Sequence, residues 1–368
     1  MRTVRRFIYS QVLQATAFVA LAFVLLFLFF DLIDQLENVR NFGARGYSFG
    51  YALLYIALQT PARLYELLPI AVLIGTIYVM AKLAQNSEFT ILRTSGLNPL
   101  RALRMLLLLG FGFSLLTFAL GDYVAPATSR IAQAFQARFT GDFTVGRTGA
   151  WMRDRQQGRN FSVNVGALTL EGRMNQVRIF AFDSTNGRPL YVADAASATF
   201  GDGAWQLHDV VRRVFDPATD SAPAVRVDRA AEWNWPTAIT SEMVAAALLS
   251  PEKMPTVELF EYVRHLQANG ESAQRYEIEL WRKLFYPLGC LVMMVLALPF
   301  GYLHFRSQNL TAYVFTGVLF GISFFLLNNV FGFVGNLRNW IPWLTALAPS
   351  LVYSALSLGL FSWLVLRR

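Results

Sequence analysis

Apolar positions recur along this chain in two rhythms, and the change between them divides it. Nearly unbroken apolar runs cover Phe7 to about Phe30, Leu64 to Ala81, Leu100 to Gly121, Trp281 to Tyr302, Leu310 to Val334 and Ile341 to Leu366. Each is close to or above the roughly 20 residues that carry a helix across a hydrocarbon core, so the pattern predicts six membrane spans in two groups of three. Tyr51 to Thr60 is apolar too, but Pro61 ends it and Arg63 and Glu66 follow. This predicts an interfacial segment ahead of the second span, with Arg63 and Glu66 paired on one helix face.

Between the third and fourth spans the long runs give way to alternation, as in Asn160-Phe-Ser-Val-Asn-Val, Gln176-Val-Arg-Ile-Phe-Ala-Phe-Asp and Pro189-Leu-Tyr-Val-Ala-Asp. A period of two marks half-buried strands. Turn signals at Thr185-Asn-Gly-Arg-Pro, Gly201-Asp-Gly-Ala and Asp216-Pro separate them, a spacing that suits a sandwich or jelly roll. Ala125 to Arg138 reads as a helical entrance and Pro255 to Ala273 as a helical return. The predicted organisation is residues 1–124 with three spans, 125–275 as a β domain outside the membrane, and 276–368 with three more spans. The fold class is thus an α-helical polytopic membrane protein with an inserted β domain.

One polar stretch breaks the first group of spans. Ala81 to Leu97 predicts a short amphipathic helix, at about residues 84–96. Leu83, Phe89, Ile91 and Leu92 lie on its apolar side, and Lys82, Glu88 and Arg93 on its charged side. Gly96 stops it, and Asn98-Pro99 opens the next helix. Such a helix either docks on a partner or lies on lipid headgroups.

Charge then orients the chain. Of 368 residues 55% are hydrophobic and 15% charged, with a net charge of +8, and in a membrane protein the placement of the basic residues matters more than their sum. The inner segments collect Arg2, Arg5, Arg6, Lys82, Arg93, Arg101, Arg104, Arg306, Arg367 and Arg368 against one acid, Glu88, which puts both termini inside. The basic balance is a membrane bias and calls for no nucleic acid. The one cysteine, Cys290, can form no internal disulfide, and His208, His265 and His304 lack metal-ligand spacing, so no metal is expected. No phosphate-cradling G-x-x-x-x-G-K-[ST], nucleophile elbow or H-E-x-x-H occurs. The chain is therefore not expected to hydrolyse ATP by itself, and no cofactor is expected in it.

Three sets of residues are candidates for function. Ser87, Glu88, Phe89, Leu92 and Arg93 form a docking face, where Glu88 can make a charge-assisted bond to a basic residue of a cytoplasmic partner. Arg40, Arg45, Arg130 and Arg138 lie at outer headgroup depth. They can bind lipid phosphates or pair with Asp122, Asp142 or Glu66. Gly317 and Gly321 make a G-x-x-x-G in the fifth span, which allows close helix approach.

Asp34-Gln-Leu after the first span, Leu83-Ala-Gln-Asn-Ser-Glu-Phe with Ser95-Gly-Leu in the inner loop, and Val124-Ala-Pro after the third span resemble the LptF/LptG permease family of the lipopolysaccharide exporter, its LptG type above all. The resemblance implies a non-enzymatic permease of the Gram-negative inner membrane with a periplasmic jelly roll. It implies as partners an LptF-like permease chain, an LptB-like ATPase dimer and an LptC-like bridge protein, with lipopolysaccharide as cargo. By the same resemblance the inner-loop helix is a coupling helix with Glu88 as its acid, and spans one and five line a lateral gate. The chain departs from the LptG type in having Asp31 and Glu37 where that type carries lysines. Two other readings are a mechanosignalling membrane protein controlling a periplasmic partner and a membrane lipid-modifying enzyme.

Overall fold

The computed structural model describes residues 2–140, 149–156, 158–169, 172–201, 203–215, 225–241, 243–244, 251–302 and 310–363; Asp142, Asp202, Asp216-Pro217, His304, Arg306, Arg367 and Arg368 fall outside them. Two compact units result, Met1–Ser129 with Glu277–Arg368, and Arg130–Tyr276.

Among the described residues, six helices are long and apolar enough to cross a membrane. Helix α1 spans Arg2–Phe42 and continues past the expected end near Phe30, through Asp31, Asp34 and Glu37. Asp31 is tolerated there because Arg63 donates two hydrogen bonds to it, at 2.7 and 3.2 Å. Helix α2, Phe49–Gln85, corrects the expectation of a separate interfacial segment, since it is continuous through Pro61 and Pro69. Each proline removes one backbone donor, and membrane helices accommodate this when nearby groups take up the freed carbonyls. Helix α3 is Glu88–Thr94 and α4 is Pro99–Ala119. From α4 the chain passes through a π-helical turn, Leu120–Val124, directly into α5, Ala125–Thr140.

After the β unit, α7 (Gln274–Phe285) and α8 (Gly289–Ala297) join through a short 3-10 turn, and a second 3-10 segment, Leu298–Tyr302, follows. Helix α9 is Leu310–Leu337 and α10 is Pro342–Phe361. The core gathers on α2, where Leu68, Val72, Leu73, Ile77 and Met80 meet Cys290, Met293 and Met294 of α8 and Phe324 of α9. Gly317 and Gly321 bring α9 onto α2. A Cβ at Gly321 would lie 2.6 Å from Ile70 Cγ2, and one at Gly317 2.9 Å from Ile77 Cδ1. Their close approach is therefore spent inside this chain.

The second unit holds one antiparallel sheet in sequence order, with β1 Ala150–Gln156, β2 Arg159–Leu168, β3 Met174–Asp183, β4 Pro189–Gly201, β5 Ala204–Phe215 and β6 Val225–Pro236. Helix α6, Thr256–Ala268, is the expected return. The described strands all join nearest neighbours, without the crossings of a Greek key. A different device gives the sheet its depth. Gln176, Ala196 and Asp209 fall on one row of the β3–β4–β5 register, and Gln176 and Asp209 have left-handed backbones, both at φ 53°. On one side of this row Val177, Ile179, Ala193, Ala195 and Val210 are buried; on the other, Met174, Ala198, Leu207 and Trp205. Strict alternation would not bury both Met174 and Val177, so the strands turn over there. Both halves feed one core, closed by Trp205 and Trp235 at 5.4 Å.

Candidate functional site

Helix α3 is made by its ends and held by one ring. Ser87 leaves α2 in the left-handed conformation, at φ 60°. Glu88 then starts α3, where its charge favours the helix dipole, and Asn86 Nδ2 donates to Glu88 Oε1 at 3.3 Å. At the other end Gly96 has φ 99° while its N–H and that of Leu97 reach back to the carbonyls of Arg93 and Leu92, both at 3.0 Å. This is a Schellman-type stop. Asn98 caps α4 by accepting from the Leu100 N–H.

Phe89 is 2% exposed and meets the Tyr302 ring edge to face at 5.0 Å. A Cβ on Gly301 would come within 3.3 to 3.4 Å of the Phe89 ring, so the glycine makes the room that the ring fills. The Arg93 guanidinium carbon lies 4.9 Å from the Tyr302 centroid, a cation–π contact. The five residues singled out by sequence thus divide in two. Phe89 and the half-buried Leu92 anchor α3 to its own chain, while Ser87 and Arg93 are exposed and Glu88 is half-buried. Ile91 leaves the apolar side assigned to it and is 61% exposed.

Of the four outer arginines, the side chains of Arg40 and Arg130 are described, one in each unit. Arg40 is exposed and lies 3.9 Å from Glu37. Arg130 belongs to the β unit and is ion-paired with Glu258, a partner absent from Asp122, Asp142 and Glu66. The pair is 128 residues apart in sequence, so no local spacing announces it. The side chains of Arg45 and Arg138 lie outside the described residues. Arg63 and Glu66 do pair, at 3.7 Å, and Asp31 is the stronger partner of Arg63.

Sequence reasoning missed a buried polar cluster in the first unit. Glu279 and Lys283 of α7 are 9% and 4% exposed. Arg282 pairs with Glu279 at 3.6 Å and donates to Asn329 Oδ1 on α9 at 2.9 Å. Lys283 Nζ donates to the Gly121 carbonyl in the π-helical turn at 3.3 Å. The available signal was three ionisable residues at the head of an apolar run, which are costly inside a membrane unless paired. Among the described residues no group of His, Cys, Asp and Glu could hold a metal ion.

A family model described as lipopolysaccharide export system permease LptF/LptG matches residues 6–363. The lipopolysaccharide export system permease protein LptG of Escherichia coli strain K12 is 28% identical over 342 residues, covering 92% of this chain and 91% of that protein. The protein of the same name from Haemophilus influenzae is 25% identical over 325 residues, covering 88% of each.

Proposed function

Since the chain belongs to the lipopolysaccharide export system permease LptF/LptG family, we propose that its two outward-facing features, the α3 elbow and the bare faces of α1 and α9, divide the work of export. The chain is a permease subunit for lipopolysaccharide and not an enzyme. In this reading α3 is the cytoplasmic coupling helix. An LptB-like ATPase dimer, which binds the ATP and magnesium, pushes on Glu88, Ser87 and Arg93, and the Phe89 ring passes the motion to Gly301 and Tyr302 at the end of the fourth span. The basic residues around α3 support placing both termini in the cytoplasm, and hence the β unit in the periplasm, where an LptC-like bridge receives the cargo. An LptF-like chain completes the lateral gate. The apolar stripe on α9 from Phe315 through Leu319, Ile322, Leu326, Val330 and Phe333, exposed throughout, is the surface to meet it, since Gly317 and Gly321 face α2. Arg40, and Arg63 once released from Asp31, supply positive charge at headgroup depth.

The observation that carries the reading is the seat of α3: Phe89 and Leu92 committed to its own chain, with Ser87 and Arg93 exposed and Glu88 half-buried. Glu88→Ala should leave insertion intact while weakening ATPase assembly by about 2 to 5 kcal/mol if the contact is buried in the complex. Pull-down of the ATPase and lipopolysaccharide release are measured together, and unchanged values for both refute the assignment. A mechanosignalling role would need no lipid-sized gate; loss of lipopolysaccharide crosslinks on Leu326→Asp separates the two.

A further inference from the structure

At the base of the first unit, α1, the α3–α4 elbow and α4 enclose a cavity of about 520 Å³ whose lining includes Arg5, Arg101 and Arg104 with Leu92, Leu97 and Met105. Arg5 also lines an adjoining cavity of about 680 Å³, with Arg6, Tyr9, Leu13, Gln14 and Leu108. No carboxylate lines either one. Among the described residues none of these four arginines has an ion-pair partner, whereas Arg63 is paired with Asp31 and Glu66, and Arg130 with Glu258. The Tyr9 hydroxyl donates to the Met105 carbonyl at 2.8 Å, which ties α1 to α4 between the two cavities. The N-terminal end of α4, with its outward N–H groups, adds positive potential to the side of Arg101. Leu13 and Leu108, 48% and 57% exposed, continue the apolar wall toward the membrane interior.

Guanidinium groups at one end and leucines at the other match a phosphate ester carried on a hydrocarbon tail. We propose that this groove binds one anionic phospholipid, its phosphodiester held by Arg5, Arg101 and Arg104 and an acyl chain lying along Leu13 and Leu108. The lipid joins the N-terminal end of α1 to the elbow of α3, so it couples the gate helix to the coupling helix. Its assignment to the inner leaflet rests on the orientation proposed above; the site itself does not.

The test uses the whole exporter complex in nanodiscs with photoactivatable phosphatidylglycerol. Crosslinked peptides should map to residues 4–14 and 92–108, and excess phosphatidylglycerol should compete while phosphatidylcholine and millimolar inorganic phosphate should not. Arg101→Gln with Arg104→Gln should cut labelling there by roughly 25-fold, about fivefold for each arginine at the usual strength of a basic residue near a membrane surface. Arg173→Gln with Arg188→Gln, on the β unit, should change nothing. Equal labelling by phosphatidylcholine, competition by free phosphate, an equal loss in the control pair, or labelling confined to other segments would each overturn the proposal. If the double variant does not assemble, the competition series on the unaltered complex decides the matter. Lipopolysaccharide release is read separately, so a failure here leaves the export assignment standing.

Discussion

Helices α2 and α9 are equally apolar and meet opposite fates. Their most apolar windows have the same mean hydropathy, 2.0, yet 83% of the α2 window is buried inside the chain and only 17% of the α9 window. Helix α1 is still more apolar, at 2.6, and is again 17% buried. In water such exposure would be prohibitive, but lipid solvates leucine as well as protein does, so apolarity places a helix in the membrane and says nothing of its neighbours. What separates the two is which residues meet protein: α9 turns Gly317, Gly321 and Phe324 inward and a stripe from Phe315 to Phe333 outward, while in α2 almost every residue from Leu67 to Leu83 is buried.

The sharpest way to break this contrast is to cut the same group from each helix. Leu73→Ala on α2, where the side chain is fully buried, should cost about 2 to 5 kcal/mol and lower the thermal midpoint of the purified chain. Leu326→Ala on α9, 55% exposed, should cost under about 0.5 kcal/mol and show itself only in gate function. Next in size is Gly321→Val, which forces bulk toward Ile70 and should cost about 1 to 3 kcal/mol by overpacking; Ile70→Ala in the same chain should recover part of it. If the glycines served a partner helix instead, Gly321→Val would leave the isolated chain as stable as before.

A smaller effect concerns α3. Phe89→Leu keeps an apolar group but loses the edge-to-face contact with Tyr302, worth about 0.5 to 1.5 kcal/mol beyond burial. ATP hydrolysis should survive while the lipopolysaccharide released per ATP falls, a split visible when both are measured on one preparation. The shallowest effect lies in the β unit, at His265. Burial pushes its imidazolium pKa below the usual value against the opposing pull of Asp154. Because the folded value is the lower one, stability is complete above about pH 6.5 and is lost as the pH falls toward the folded value. Tryptophan-monitored denaturation of the chain from about pH 7.5 downward should show that slope, and His265→Gln should flatten it.

Much of this was legible because it depends on local pattern. The six spans, the strands and their turns, and both ends of α3 follow from runs, alternation and the Gly96, Asn98-Pro99 punctuation. The break expected at Pro61 does not occur, because a proline that ends a helix in water is accommodated where membrane neighbours take up the freed backbone groups. The Arg130 pairing with Glu258, the seating of Phe89 against Gly301 and Tyr302, and the burial of Lys283 beside a π-helical carbonyl depend on residues far apart in sequence. No single stretch contains both halves of such a contact.

The row through Gln176, Ala196 and Asp209 has a practical consequence for any labelling scan of the β unit. A labelling scan that follows every second residue along β3, β4 or β5, as sheet geometry invites, would start on one surface and finish on the other. A path read as continuous from Ile179 through Val177 to Asn175 would leave the interior at the last step, whereas Met174 stays within it. Probes meant to track one side must change parity at that row, and a break in labelling there reports the geometry of the strands rather than the edge of a binding surface.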